Sequence, residues 1–321
     1  MFVGSKVPMR RLSLVISCVA LVLICLGAGQ VPGLAQTRTA DSVIAAARAA
    51  LGGEAKIAGV KTFIATGRTR QVRGENLVPI EFEIQAELPD KYSRRDEFPA
   101  QDAGPVTAGF VGDALVLIPR PVPPPPRPGM PAPPPGAMEA QLRGRMMQAK
   151  QDFARLLLGM FAGTTAAFPV TYSYVGQAEA PQGKADVIDV KGPANFAARL
   201  FIADNGLPIM VTWQPPAGPG AGGARGAMGA QVPGAAPPTA APPTAAPGTT
   251  APPAPLAPPA PSVPPVPEQR MFFADYRDVD GLKLPFRLRR AAGAETTEET
   301  IFDRYRINAK VDPRRFDTTA K

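Results

Sequence analysis

The chain has 321 residues, of which 41 are proline, none is histidine and two are cysteine, and its formal net charge at pH 7 is +8. Both cysteines, Cys18 and Cys25, lie within residues 1–35, which have the pattern of a cleaved export signal. The mature chain would therefore lack the side chains for a Ser-His-Asp triad, a cysteine nucleophile, a histidine or cysteine metal site and a disulfide.

The N-terminal segment has the three parts of an export signal. Basic residues precede an apolar run from Leu12 to Leu26, and small residues follow up to a predicted cleavage site after Ala35. A retained membrane anchor and a lipoprotein signal at Cys18 are the alternatives, although the run is short for a span and continues past Cys18. We expect a periplasmic or exported protein with a cleaved signal, and association with a membrane if the segment is retained.

The first half of the mature chain predicts one helix followed by strands. The helix covers 39–51 and is ended by Gly52-Gly53. The clearest strand signal is at 79–88, where apolar and polar residues alternate strictly, which indicates one buried and one solvated face. The other strands predicted here are 61–70, 91–98 and a hairpin over 106–118 that turns at Gly112-Asp113.

The second half predicts a long helix and further strands. Apolar residues recur at steps of three and four over 137–161, which is typical of a helix with one apolar stripe. Its charged residues, Asp152 and Arg155 among them, are expected on a solvated face, and contact of its basic residues with anionic lipid headgroups is the alternative. Asn205-Gly206 and Asp280-Gly281 are typical hairpin turns. The predicted strands are 169–175, 184–191, 197–203, 207–213, 270–279, 282–290 and 296–306.

Roughly ten strands joined by hairpins predict an antiparallel sheet whose neighbours follow sequence order. The expected fold class is mainly β (α+β), a curved antiparallel half-barrel sheet covered by helices and enclosing an apolar concavity. Two proline-rich insertions, 119–136 and 215–267, are expected to be disordered. They interrupt a single domain, 36–321, because neither half has enough strands to stand alone.

Four stretches resemble the bacterial outer-membrane lipoprotein-sorting (LolA/LolB-like) superfamily. They are GGEAKIAGVKT at 52–62, ARLFIADNGLPIMV at 198–211, DYRDVDGLKLPFRL at 275–288 and INAKVDPRRF at 307–316. The resemblance covers most of the mature chain outside the proline-rich insertions. It implies a half-open antiparallel β-barrel covered by helices, whose apolar interior binds lipoprotein acyl chains or another hydrophobic ligand without catalysis.

The candidate ligand-binding residues are apolar side chains of the predicted strands and of the long helix. For any single one of them, ordinary core packing is the alternative. Methionines on the long helix favour a role as a lid over the cavity, because this side chain adapts to varied partners. The candidates are Phe63, Ile80, Phe82, Ile84, Phe110, Met146, Phe153, Leu200, Ile202, Met210, Phe273, Leu284 and Phe286.

These observations favour a non-enzymatic exported protein that binds a lipid or lipoprotein acyl chain. We expect a monomer with no cofactor or metal ion. Nucleic acid is not an expected partner, because the longest basic runs are pairs and acids are interspersed among them. Glu295, Glu298 and Glu299 are the carboxylates considered for catalysis, and nothing in their sequence context would raise a pKa. The alternative is a cell-envelope scaffold whose proline-rich arms bind an envelope protein or act as spacers.

Overall fold

The structure is a computed structural model that describes residues 38–99, 104–120, 135–180, 183–215 and 266–318. The predicted export signal and most of both proline-rich insertions lie outside these ranges, so the expectations for them stay predictions. The chain divides into two units, Met1–Arg38 and Thr39–Lys321, and every helix and strand of the described residues belongs to the second. None of the described helices is both long enough and apolar enough to span a membrane.

Twelve strands of the described residues form one antiparallel sheet. Each strand overlaps a predicted segment, so the expected fold class is confirmed, with two strands more than the rough count. The bounds are β1 Thr62–Arg73, β2 Asn76–Glu87, β3 Lys91–Glu97, β4 Val106–Val111, β5 Ala114–Ile118, β6 Thr171–Ala180, β7 Gly183–Gly192, β8 Phe196–Ala203, β9 Pro208–Trp213, β10 Gln269–Val279, β11 Leu282–Ala292 and β12 Glu295–Ile307.

The strand order is β5-β4-β3-β2-β1-β12-β11-β10-β9-β8-β7-β6. Neighbours in space are neighbours in sequence except at one place, where β1 pairs with β12 and Phe63 lies opposite Ile307. The sheet is curved and open, with β5 and β6 at its two edges. The second insertion lies between paired strands, since Trp213 at the end of β9 is opposite Gln269 at the start of β10.

Three α-helices accompany the sheet among the described residues. They are α1 Ala40–Ala50, α2 Glu54–Ala58 and α3 Ala137–Phe161, and a short 3-10 helix covers Pro313–Phe316. Helix α1 begins with a capping box, in which the Thr39 hydroxyl accepts from the Ser42 amide at 3.2 Å and the Ser42 hydroxyl accepts from the Thr39 amide at 3.0 Å. The bounds of α3 are those that the apolar stripe predicts.

The two predicted hairpin turns form by different means. Asp280 and Gly281 both have positive φ, 54° and 77°, which suits a type I′ turn. At the other turn only Gly206 has positive φ, and the Asn205 side-chain oxygen accepts from the Leu207 amide at 3.0 Å. Both sequence signals are confirmed as turns.

Helix α3 packs its C-terminal half against the inner face of the sheet. All of its residues from 152 to 161 are buried, and it contacts β4, β5, β8, β9 and β11. The Phe153 ring lies 4.5 Å from the ring of Tyr92, 5.8 Å from that of Phe110 and 6.4 Å from that of Phe63, measured between centroids. Packed aromatic rings therefore fill much of the space between this half of the helix and the sheet.

Gly159 allows α3 to approach β10 closely. A Cβ atom at this position would lie 2.0 Å from the Phe273 ring, and the Gly159 carbonyl accepts from the Tyr276 hydroxyl at 2.8 Å. Any side chain at Gly159 would therefore push α3 away from β10, the strand to which the helix is also hydrogen-bonded.

Two glycine-to-alanine changes in α3 should have opposite effects on stability. Gly159→Ala should lower the free energy of unfolding by about 1 to 3 kcal/mol, because the added methyl overpacks the core. Gly144→Ala should raise it by about 0.5 to 1 kcal/mol, because alanine favours a helix and nothing lies within 4 Å of the new Cβ. Urea denaturation followed by circular dichroism measures both, and effects of the same sign would contradict this account.

Candidate ligand-binding site

Most of the predicted binding residues lie together in the packed core. Eleven of the thirteen belong to one cluster of buried apolar residues, namely Phe63, Phe82, Ile84, Phe110, Met146, Phe153, Leu200, Ile202, Phe273, Leu284 and Phe286. Ile80 is buried but outside that cluster. Met210 is half-buried and alternates with the core residue Val211, which places Met210 on the outer face of β9.

Two pockets of the described residues lie along α3. The larger one lies beside the N-terminal half of the helix, at the β5 edge of the sheet. Its volume is about 420 Å³, which is within the usual range for small-molecule sites. Apolar side chains of β5 and α3 face each other across it, and charged side chains lie at its rim. The lining residues are Asp113, Leu115, Leu117, Arg120, Met138, Leu142, Arg143 and Met146.

A smaller pocket of about 230 Å³ continues along α3. Asp113 lines both pockets, so the two adjoin at the turn between β4 and β5. The smaller pocket is lined by Pro89, Asp90, Phe110, Gly112, Asp113, Lys150, Phe153, Ala154, Leu157, Thr164, Thr165, Ala167 and Phe168. Together the two pockets follow successive turns of the helix from Met138 to Leu157.

Three predicted binding residues reach this open space. Met146 lines the larger pocket, and Phe110 and Phe153 line the smaller one. Sequence reasoning missed Leu115 and Leu117, although both lie within the predicted hairpin and alternate on one face of its second strand. An apolar edge strand opposite a methionine-bearing helix is the signal that could have indicated them.

A lysine lies where the two pockets meet. Its Nζ is 2.6 Å from the Asp113 carboxylate, and the Lys150 side chain is 15% exposed whereas that of Asp113 is 94% exposed. The Lys150 Nζ also lies 5.7 Å from the centroid of the Phe110 ring. The hydrogen bond from Lys150 lowers the pKa of the Asp113 carboxyl, which favours the charged carboxylate.

The solvated face predicted for the charged residues of α3 agrees with the exposed Arg143 and Arg145 but is wrong for Asp152 and Arg155. Asp152 and Arg155 are buried and joined at 2.8 Å. The Arg155 guanidinium lies 4.4 Å from the Trp213 ring and 5.2 Å from the Phe196 ring, and Arg290 lies 4.0 Å from Asp152. The curved sheet covers more of the helix than one stripe, so residues beside the stripe are buried too.

A network of hydrogen-bonded polar side chains lies on the inner face of β3, β1 and β12. Arg94 Nε donates to buried Asp96 at 2.7 Å, and its Nη2 donates to the Thr69 hydroxyl at 3.2 Å. Thr69 bonds to Thr300, which donates to Glu298 at 3.2 Å. Burial raises the pKa of Asp96, and the Arg94 charge opposes that shift. The hydrogen bonds through Thr69 and Thr300 join β3, β1 and β12, and Glu298 belongs to this network.

Within the described ranges, no group of three or more acidic, histidine or cysteine side chains is placed to hold a metal ion.

Comparison with known proteins gives structural similarity only. No protein-family model and no curated protein sequence matches the chain. Several solved structures are similar to it, three of them as follows. A LolA superfamily protein from Nitrosomonas europaea is 11% identical, with 87% of this chain and 98% of that chain covered and a TM-score of 0.46.

The other two structures are less similar. A DUF1329 family protein from Desulfovibrio piger is 6% identical, with 87% and 97% coverage and a TM-score of 0.42. An outer-membrane lipoprotein-sorting protein domain from Vibrio parahaemolyticus is 8% identical, with 84% and 93% coverage and a TM-score of 0.40.

Proposed function

We propose that this protein is an exported, non-enzymatic binding protein that holds the acyl chain of a lipid or lipoprotein. The observation that carries the proposal is the larger pocket, whose walls are apolar and whose rim is charged. Each methylene group moved from water into such a pocket contributes roughly 0.8 kcal/mol. Two of its wall residues, Met138 and Met146, have flexible side chains that can adapt to a mobile chain.

The position of the pocket also supports an edge site over a central one. The middle of the sheet is packed by aromatic side chains around Phe153, and the smaller pocket beside this ring has only about half the volume of the larger one. At the edge, β5 and the first turns of α3 leave room without any displacement. The apolar concavity that the sequence predicts is thus largely filled, and the binding site that we propose lies beside it.

Replacing Leu142 with glutamate should abolish most of the binding. Leu142 lines the larger pocket, and a carboxylate there would have to be desolvated by the acyl chain. Leucine and glutamate favour a helix about equally, so α3 should persist. Titration with a fluorescent fatty acid should show at least about a tenfold loss of affinity, which corresponds to about 1.4 kcal/mol.

The matched control is Leu77→Glu, because Leu77 is 63% exposed and lies on β2, outside both pockets. This control should bind as the unmodified protein does. Native mass spectrometry after mild purification should also detect a bound lipid. Absence of lipid together with no uptake of the fatty acid, or equal affinity of the Leu142 and Leu77 variants, would refute the proposal.

A further inference from the structure

The ion pair at the junction of the two pockets is asymmetric. Lys150 is largely covered, with its amino group near the Phe110 ring, whereas Asp113 is almost wholly in solvent on the β4–β5 turn. Pairs with such an exposed partner contribute little to stability. A partly buried ammonium gains more from an anion that is itself partly removed from water. An anion less exposed to water than Asp113 would therefore interact more strongly with Lys150 and could displace Asp113.

The larger pocket supplies the way for such an anion to arrive. An acyl chain seated between β5 and α3 has one end beside Asp113, which lines both pockets, and thus beside the amino group of Lys150. A carboxylate or phosphate attached to that end would meet a cation, whereas a neutral headgroup would leave the existing pair in place.

We propose that Lys150 binds the anionic headgroup of a single-chain amphiphile, and that Asp113 is the internal carboxylate which this headgroup displaces. This rests on the proposed function, because the larger pocket must hold the chain. The headgroup chemistry is a carboxylate, as in a fatty acid, or a phosphate, as in a lysophospholipid.

Two arginines at the pocket rim are the competing cations, and their surroundings suit the role less well. Arg143 is exposed on α3, and Arg120 is exposed and donates to the Thr318 carbonyl. A headgroup bound there would stay hydrated, so the attraction would be weak. Lys150 differs from both in being covered and in having a carboxylate already bound to it.

Three ligands with the same twelve-carbon chain separate the headgroup from the chain: dodecanoate, dodecyl phosphate and dodecanol. Lys150→Met removes the charge and keeps an unbranched apolar side chain, and it should weaken binding of one or both anions about tenfold. Asp113→Asn removes the competitor and should strengthen binding of the same anions by up to about fivefold. Binding of dodecanol should change less than twofold in either variant. Isothermal titration calorimetry on the full mature chain measures all three, and the anion that responds identifies the headgroup.

A merely structural role would not produce opposite effects on anion affinity in Lys150→Met and Asp113→Asn. Lys150→Arg should keep the preference for anions, and Arg143→Gln tests the competing cation at the pocket rim. The proposal is overturned if Lys150→Met lowers the affinity for dodecanol as much as that for the anions, or if Asp113→Asn lowers the affinity for the anions. It is also overturned if Arg143→Gln lowers the affinity for the anions more than Lys150→Met does. Binding of all three ligands with no response to either variant refutes this role alone, whereas binding of none by the unmodified protein refutes the proposed function as well.

Discussion

An Asp152→Ala variant should lose about 3 to 5 kcal/mol of the free energy of unfolding, because it leaves buried positive charge without a carboxylate. Arg155 is 6% exposed, its Nε already has no hydrogen-bond partner among the described residues, and Asp152 is its ion-pair partner at 2.8 Å. Arg290, 4.0 Å away, would lose the same carboxylate. Urea denaturation followed by circular dichroism measures the loss as a lower midpoint.

An exposed ion pair and a double variant are the controls for this loss. Asp303→Ala breaks a surface pair with Arg68 at 3.1 Å and should cost less than about 1 kcal/mol. Asp152→Leu combined with Arg155→Met removes both buried charges and should recover most of the stability that Asp152→Ala loses. A double variant as unstable as the single one would show that shape, and not charge, dominates at this place.

A Phe153→Ala variant should lose a similar amount, about 3 to 5 kcal/mol, because it leaves a hole among aromatic rings. Phe153 is 4% exposed and its ring contacts those of Tyr92, Phe110 and Phe63. For a domain of this size each kcal/mol lowers the melting temperature by about 2 to 4 °C. Calorimetry therefore measures the change well.

The same variant distinguishes a packed interior from a central ligand cavity. The exposed control Leu77→Ala should change stability by no more than about 0.5 kcal/mol. If Phe153→Ala is equally mild, the middle of the sheet is loosely packed, as the sequence-based expectation of an open concavity requires. The acyl chain would then have room at the centre, and the edge site would lose its main support.

Local signals were sufficient for most of the secondary structure. The bounds of α3 follow from its apolar stripe, and the hairpin at Asp280-Gly281 follows from two residues that tolerate positive φ. In both cases the physical cause lies within a few residues of its effect. The antiparallel class of the sheet follows in turn from the short turns that join its strands.

The parts that sequence could not predict depend on distant residues. The pairing of β1 with β12 joins segments at opposite ends of the described chain, and alternation within a strand does not specify its partner. Burial of Asp152 and Arg155 depends on how far the sheet curves around α3, which the helix sequence alone does not contain. The pocket depends on the relative placement of β5 and α3, and no residue of either element indicates it alone.

The place of β12 between β1 and β11 also constrains the order in which the protein can fold. Until β12 is available, the sheet consists of two separate halves, each with an additional unpaired edge in what becomes its middle. Joining them closes a loop of most of the domain, and contacts of such high sequence separation form slowly. An unpaired edge of this kind can also pair with another chain. A chain in which β12 has not yet been made would therefore expose two aggregation-prone edges, one at β1 and one at β11.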